Sequence, residues 1–327
     1  MIGGWLGPSL LLPAGAAVVT GLSRRAAEAA HPPIGILLGL GDRTVHVVDR
    51  PGTDAAATPI VFVHGASGNA REPMLAFADA FPRHRLIFFD RPGHGWSSRH
   101  GSDDASPTVQ ARVTAEVLTA LGIDAAVVVG HSWGGSVAAA FGVHHRERTA
   151  GLVFLAPATH PWPGAVIDVL YRISAMPVAG ALLRHAVVPT VGRLMIDRAT
   201  AGVFAPDPVP ENYRERIGTT LLLRPAEWRA NAEDVYRLHA HVSDLAPRYP
   251  EITAPTLIVS GTRDTIVRAD IHAEGLARDI AGSRLVWLDE VGHMPHHAAR
   301  ERVVAEIEAL IGEIETTNAA GGAGGVG

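Results

Sequence analysis

A chain of 327 residues is long enough to bury one large core, or a core carrying an inserted lobe. Hydrophobic residues make up 47% and charged residues 19%; the net charge of −5, with no basic run beyond two residues, argues against a nucleic-acid partner. Cysteine is absent, which removes disulfides, thiolate catalysis and cysteine-held metals but does not identify a compartment.

The N-terminal arm comes first, over 1–30. From 2 to 23 there is no charged side chain, and then Arg24 and Arg25 arrive together. An uncharged stretch of about 20 residues is long enough to cross a bilayer as a helix. Gly3, Gly4, Gly7, Pro8, Pro13 and Gly15 all weaken a helix, which leaves an apolar arm packed on the domain as the other reading. A cleaved signal peptide fits poorly, because its charges precede the apolar core rather than follow it. The arginine pair places the body on the cytoplasmic side, anchored at the inner membrane face if 2–23 spans.

Apolar runs at 44–48, 59–63, 86–89, 125–129, 152–155, 256–259 and 285–288 follow in order, as expected of strands. Between them lie helical stretches. One opens at Ser106-Pro107, an N-cap followed by proline at the first helical position, and closes at Gly122. The last helix puts Val303, Val304, Ile307, Leu310, Ile311 and Ile314 on one face. The alternation predicts an α/β protein with a mostly parallel central sheet flanked by helices. It breaks over 159–249, which is helix-like and apolar, so a helical cap is expected there over a core formed by 31–158 and 250–315. The tail, 316–327, is too poor in packing side chains to be expected to stay ordered.

The residues that carry chemistry fall at strand ends. Gly130-His131-Ser132-Trp133-Gly134 directly follows the run 125–129 and precedes a helix, the context of a nucleophile elbow. Such a turn forces the serine into a strained conformation that exposes its hydroxyl. A serine hydroxyl is a poor nucleophile at neutral pH and needs a base that an acid orients. Asp264 follows the strand at 256–259 and His293 the strand at 285–288, giving the chain order Ser, Asp, His. Asp270 and Asp289 stay open as the acid, and His296 and His297 as the base, although a surface role suits those two histidines better. Oxyanion donors are expected from the N–H of Trp133 and from Ala66, in the turn after 61–63. His64 and His131 are expected to brace these turns.

Seventeen histidines invite a metal reading. There is no His-Glu-x-x-His, and the pairs His144-His145 and His296-His297 cannot both face one ion on a helix, so no catalytic metal is expected. No Gly-x-Gly-x-x-Gly follows the first buried strand, and no cofactor is expected.

Over roughly 44–314 the chain resembles the α/β-hydrolase superfamily. The matching pieces are these three positions, the His64-Gly65 turn, the Asp90-Arg91-Pro92-Gly93-His94-Gly95-Trp96-Ser97 loop and Val291-Gly292-His293-Met294-Pro295. Within it, the chain is similar to a capped group of esterases, epoxide hydrolases and haloperoxidase-like enzymes. Gly130-His131-x-Trp133-Gly134-Gly135 is especially like epoxide hydrolases, but those carry aspartate where this chain has Ser132. The resemblance therefore implies acyl chemistry; the reading is a serine hydrolase cleaving a small-molecule carboxylic ester, and the apolar cap suits an apolar acyl or alcohol part. Amide or peptide cleavage, C–C bond hydrolysis, perhydrolysis and non-catalytic binding of an apolar ligand are the alternatives. Trp162, Tyr171, Tyr213 and Trp228 in the cap are expected to line the substrate pocket.

Overall fold

The structure is a computed structural model that describes residues 11–163 and 169–323. Eight strands, β1 (Ile36–Leu40), β2 (Arg43–Arg50), β3 (Ile60–Val63), β4 (Leu86–Phe89), β5 (Ala126–His131), β6 (Thr149–Leu155), β7 (Thr256–Gly261) and β8 (Arg284–Leu288), form one sheet. Their order is β1-β2-β4-β3-β5-β6-β7-β8. β1 pairs with β2 and β2 with β4 antiparallel, and every other neighbour is parallel. The inner strands β3 to β5 are buried throughout because helices cover both faces. β1 was not among the expected strands. It is an exposed edge strand, Ile-Leu-Leu-Gly-Leu, whose sequence shows no alternation.

Side chains alternate along each strand, so the sheet separates two cores. Val61, Ile87, Val128, Phe154 and Ile258 face one side. That side is covered by α3 (Pro107–Ala120), α4 (Trp133–His144) and α10 (Ala269–Asp279). Phe62, Phe88, Val127, Val153 and Leu257 face the other, against α2 (Arg71–Phe77) and α12 (Arg300–Ala323). Parallel strands joined by helical crossovers end along one edge, and the loops at that edge carry the functional side chains.

Between β6 and β7 the chain leaves the sheet as a helical insertion. It comprises α5 (Val169–Ala175), α6 (Pro177–Leu182), a π-helical stretch (Leu183–Gly192), α7 (Arg193–Phe204), α8 (Tyr213–Ile217) and α9 (Pro225–Leu245). The N-terminal α1 (Leu11–Ala30) packs on this insertion: Thr20 Oγ1 donates to the His185 carbonyl at 2.6 Å, and Glu28 lies 3.5 Å from Arg224. Among the described residues no helix is long and apolar enough to cross a membrane. The rest of the expected span, 2–10, lies outside the described residues. At the other end α12 runs on to Ala323, so 316–323 is helical where a loose tail was expected. Short α11 (Pro295–Ala298) precedes it.

Candidate active site

The turn from β5 into α4 is as tight as the glycines imply. Ser132 sits at φ 50°, ψ −117°, a conformation that side chains rarely adopt. A Cβ on Gly130 would stand 2.4 Å from the Gly134 carbonyl oxygen, and one on Gly134 would stand 2.3 Å from that of Val63. Neither position admits a side chain while the turn keeps its shape. Ser132 N–H donates to the Leu155 carbonyl at 2.9 Å, which ties the elbow to the neighbouring strand.

The loops after β7 and β8 meet this turn. His293 Nε2 lies 2.9 Å from Ser132 Oγ, and His293 Nδ1 lies 2.7 Å from Asp264 Oδ2. The other carboxylate oxygen of Asp264 accepts from the N–H groups of Ile266 and Val267 at 2.8 and 2.9 Å. Asp270 instead pairs with Arg268, and Asp289 accepts from Thr262 Oγ1 at 3.2 Å. His131 Nε2 donates to the His293 carbonyl at 3.0 Å, and His64 Nδ1 to the Gly65 carbonyl at 2.9 Å. Both rings brace loops.

Ser132 opens on a cavity of about 320 Å³ under the cap. Ala66 and Trp133 line it together with Ser132, and its walls include Trp162, Tyr171, Leu238 and Ile266. His272 also faces it. Burial lowers this imidazole to about 4, and its Nδ1 accepts from the N–H groups of Thr159 and His160, so the wall is uncharged there at neutral pH. A second hollow, about 490 Å³, is lined by Arg99, Arg184, Arg229 and Glu233 and holds none of Ser132, Asp264 or His293.

Residues 58–299 match the alpha/beta hydrolase fold family. The chain belongs to that family. It is 31% identical over 266 residues to the 2-hydroxy-6-oxononadienedioate/2-hydroxy-6-oxononatrienedioate hydrolase of Paraburkholderia phymatum, covering 78% of this chain and 83% of that one. It is 26% identical to the 2-hydroxy-6-oxo-6-phenylhexa-2,4-dienoate hydrolase of Burkholderia cepacia, covering 78% and 86%. A thermophilic esterase from Thermogutta terrifontis shares the fold with a TM-score of 0.66, at 24% identity over 86% of this chain and 98% of that one. These relatives are hydrolases, which supports hydrolase chemistry here.

Two of the expected pocket residues are elsewhere in this hydrolase. Tyr213 packs with Phe204, Ile217 and Met294, its ring 4.8 Å from that of Phe204. Trp228 packs on a cluster of Val188, Ile196 and Leu223 and donates to Ser174 Oγ at 2.9 Å. Neither lines the Ser132 cavity. Composition identifies an aromatic in a cap but not which face of its helix turns toward the sheet.

The histidines after His293 also differ from expectation. His296 and His297 are not a surface pair: His296 is buried and His297 half-buried on the single turn of α11, and each Nε2 lies 2.8 Å from Glu72 Oε1. On this turn two adjacent side chains thus both reach one carboxylate oxygen. Burial pushes the Glu72 carboxyl up, but His296 and His297 outweigh it and hold it well below the usual carboxylate range. Glu72, His131 and His296 bring ligand-type atoms within 4.8 Å of one another. His131 Nε2 donates to the His293 carbonyl and His296 Nε2 to Glu72 Oε1, while Glu72 Oε2 and His296 Nδ1 are buried without a hydrogen-bond partner among the described residues.

A buried clamp between the cap and the oxyanion turn had no signal in the sequence. Arg91 is fully buried; it donates to the Gly65 carbonyl at 3.0 Å and to Asp234 of α9 at 2.7 Å, and its guanidinium lies 4.1 Å over the Trp133 ring. Trp133 Nε1 donates to the Asp234 carbonyl at 3.1 Å. One turn earlier, Asn231 Oδ1 accepts from Ser67 N–H at 2.6 Å, and Ser67 itself sits at φ 59°. Burial alone would raise the Asp234 carboxyl, yet His94, Arg91 and Arg99 hold it far below the usual range. Burial, helped by Arg91, lowers His94 to about 4. On a sequence, Asn231 and Asp234 look like the solvated face of an amphipathic helix.

Proposed function

We propose that this hydrolase cleaves a carboxylic ester with an apolar acyl or alcohol part through an acyl-enzyme. The observation that carries the reading is the line from Asp264 through His293 to Ser132 Oγ, opening on a cavity walled by Trp162, Tyr171, Leu238 and Ile266. Ser132 Oγ attacks the ester carbonyl carbon while its proton passes to His293 Nε2. Asp264 keeps the Nδ1 proton in place and stabilises the imidazolium. The N–H groups of Ala66 and Trp133 receive the oxyanion, each supplying about 3 kcal/mol of transition-state stabilisation. The C–O bond then breaks, His293 returns its proton to the leaving alcohol, and water repeats the sequence on the acyl-enzyme.

A second reading is C–C bond hydrolysis, which the names of the two hydrolase relatives favour. Their dienoate and dienedioate substrates carry carboxylates that a site would meet with cations. Among the described residues that line this cavity the one arginine, Arg268, is paired with Asp270. That pairing supports the ester. A fluorophosphonate is expected to label Ser132 and abolish turnover of nitrophenyl esters, and Ser132→Ala to do the same. Turnover of a 2-hydroxy-6-oxo-dienoate in preference to the esters would transfer the assignment to the second reading. Tight binding of an apolar ligand with no turnover of either would make the protein a binder.

A further inference from the structure

Most of the large apolar side chains exposed in the described residues gather on α1 and on the cap segments packed around it. They occur in helical pairs. Val18 and Leu22 on α1 are each 61% exposed; Val178 and Leu182 on α6 are 76% and 69% exposed; Leu194 on α7 reaches 83%. In each of the first two pairs the spacing is four residues, so both side chains share one helix face. On α1 this face is opposed to Thr20 and Ala27, which are buried. These elements are linked through the π-helical stretch, on which α1, α6 and α7 all pack.

Arginines border these stripes. Arg25 follows Leu22 by three residues and Arg198 follows Leu194 by four, placing a cation one turn from an exposed leucine. Arg24, Arg25, Arg193 and Arg198 are exposed and have no carboxylate partner among the described residues. The acidic neighbours are engaged elsewhere: Glu28 with Arg224, and Asp197 with Arg214. A chain of net charge −5 thus presents a local face that is apolar and cationic.

We infer that α1 and the α6–α7 face of the cap dock the protein on the surface of an anionic lipid bilayer, lying in its interface rather than spanning it. Helices of this kind sink their apolar side chains to the level of the acyl chains, while long arginines reach back to the headgroups. A second copy of the chain suits the face less well: a two-fold contact brings the same residues together and sets these arginines against one another. The inference stands independently of which bond the active site cuts. The face adjoins that site, however, because α5, whose Tyr171 lines the cavity, packs against α6.

The test is flotation of the full chain with vesicles of phosphatidylcholine, with and without phosphatidylglycerol. The protein is expected to float with the anionic vesicles, less so at high salt and weakly with phosphatidylcholine alone. Val178→Glu, Leu182→Glu and Leu194→Glu together are expected to cut partitioning by more than about tenfold while leaving turnover of a soluble substrate unchanged. Arg24→Ala with Arg25→Ala is expected to lose roughly tenfold on the anionic vesicles only. Failure to float, or flotation equal in the triple variant, overturns the inference. So does a dimer in light scattering that the same triple variant dissolves, which would assign the face to a second copy. Unchanged circular dichroism guards against loss of folding as the cause.

Discussion

Asn231 offers the sharpest test of how the cap and the oxyanion turn work together. It is buried on α9, does not line the cavity, and takes the N–H of Ser67 at 2.6 Å while donating to Ser67 Oγ at 3.1 Å. Ser67 follows Ala66 directly, and its φ of 59° needs something to hold it. Asn231→Ala leaves the Ser67 N–H without an acceptor. An orphaned buried donor costs about 1–3 kcal/mol, which the turn escapes by rotating, and rotation carries the Ala66 N–H with it. Complete loss of one oxyanion donor is worth about 3 kcal/mol, or roughly a hundredfold in rate. A displaced but not deleted donor is therefore expected to lower kcat by about tenfold. KM is expected to stay within about twofold, because a donor aimed at the oxyanion acts in the transition state. Ser67→Gly keeps the N–H that Asn231 accepts and relieves the positive φ but removes the Oγ that Asn231 donates to, so the melting temperature is expected to fall while kcat stays within about twofold. Steady-state kinetics on a nitrophenyl ester, beside thermal melts, read both numbers. If Asn231→Ala lowers the melting temperature yet leaves kcat unchanged, the cap merely stabilises the fold and the coupling argument fails.

Other substitutions probe other links. Asp264→Asn is expected to drop kcat by about 10⁴ with KM little changed; a loss under tenfold would move the acid elsewhere. Gly130→Ala drives a Cβ against the Gly134 carbonyl and is expected to cost more than about 2 kcal/mol in urea unfolding; wild-type stability would contradict the tight turn. Trp162→Ala enlarges the cavity and is expected to shift preference toward bulkier acyl chains. Trp228→Ala, half-buried against the cap cluster, is expected to cost about 1.5–3 kcal/mol of stability with the substrate ranking unchanged, and the reverse pattern would restore Trp228 to the pocket. The buried histidines set an acid limit. His94 and His272 are both lowered to about 4 from 6.5, so between those values the unfolded chain binds protons that the folded one refuses. Stability is then present above about pH 6.5 and falls as pH drops toward 4; a melting temperature flat across that window would refute it.

The alternation of buried strands and helices, the elbow and the chain order of Ser132, Asp264 and His293 were all readable from the sequence. Each rests on short-range physics: a run of apolar residues makes a buried strand, and the next few residues must emerge at its end. A parallel sheet then puts those ends along one edge, so chain position already implies neighbourhood. Much that depends on one surface meeting another escaped. β1 pairs at an edge without a periodic signature, Trp228 and Tyr213 turn away from the cavity that Trp162 and Tyr171 face, and His296 with His297 converges on Glu72 from a distant helix. The link from Asp234 through Arg91 to Gly65 spans residues far apart along the chain. A periodic pattern determines which side of an element is apolar, but not what will be packed against it. Only the tertiary structure decided those partners, because burial energy is shared between surfaces that the chain order never places side by side.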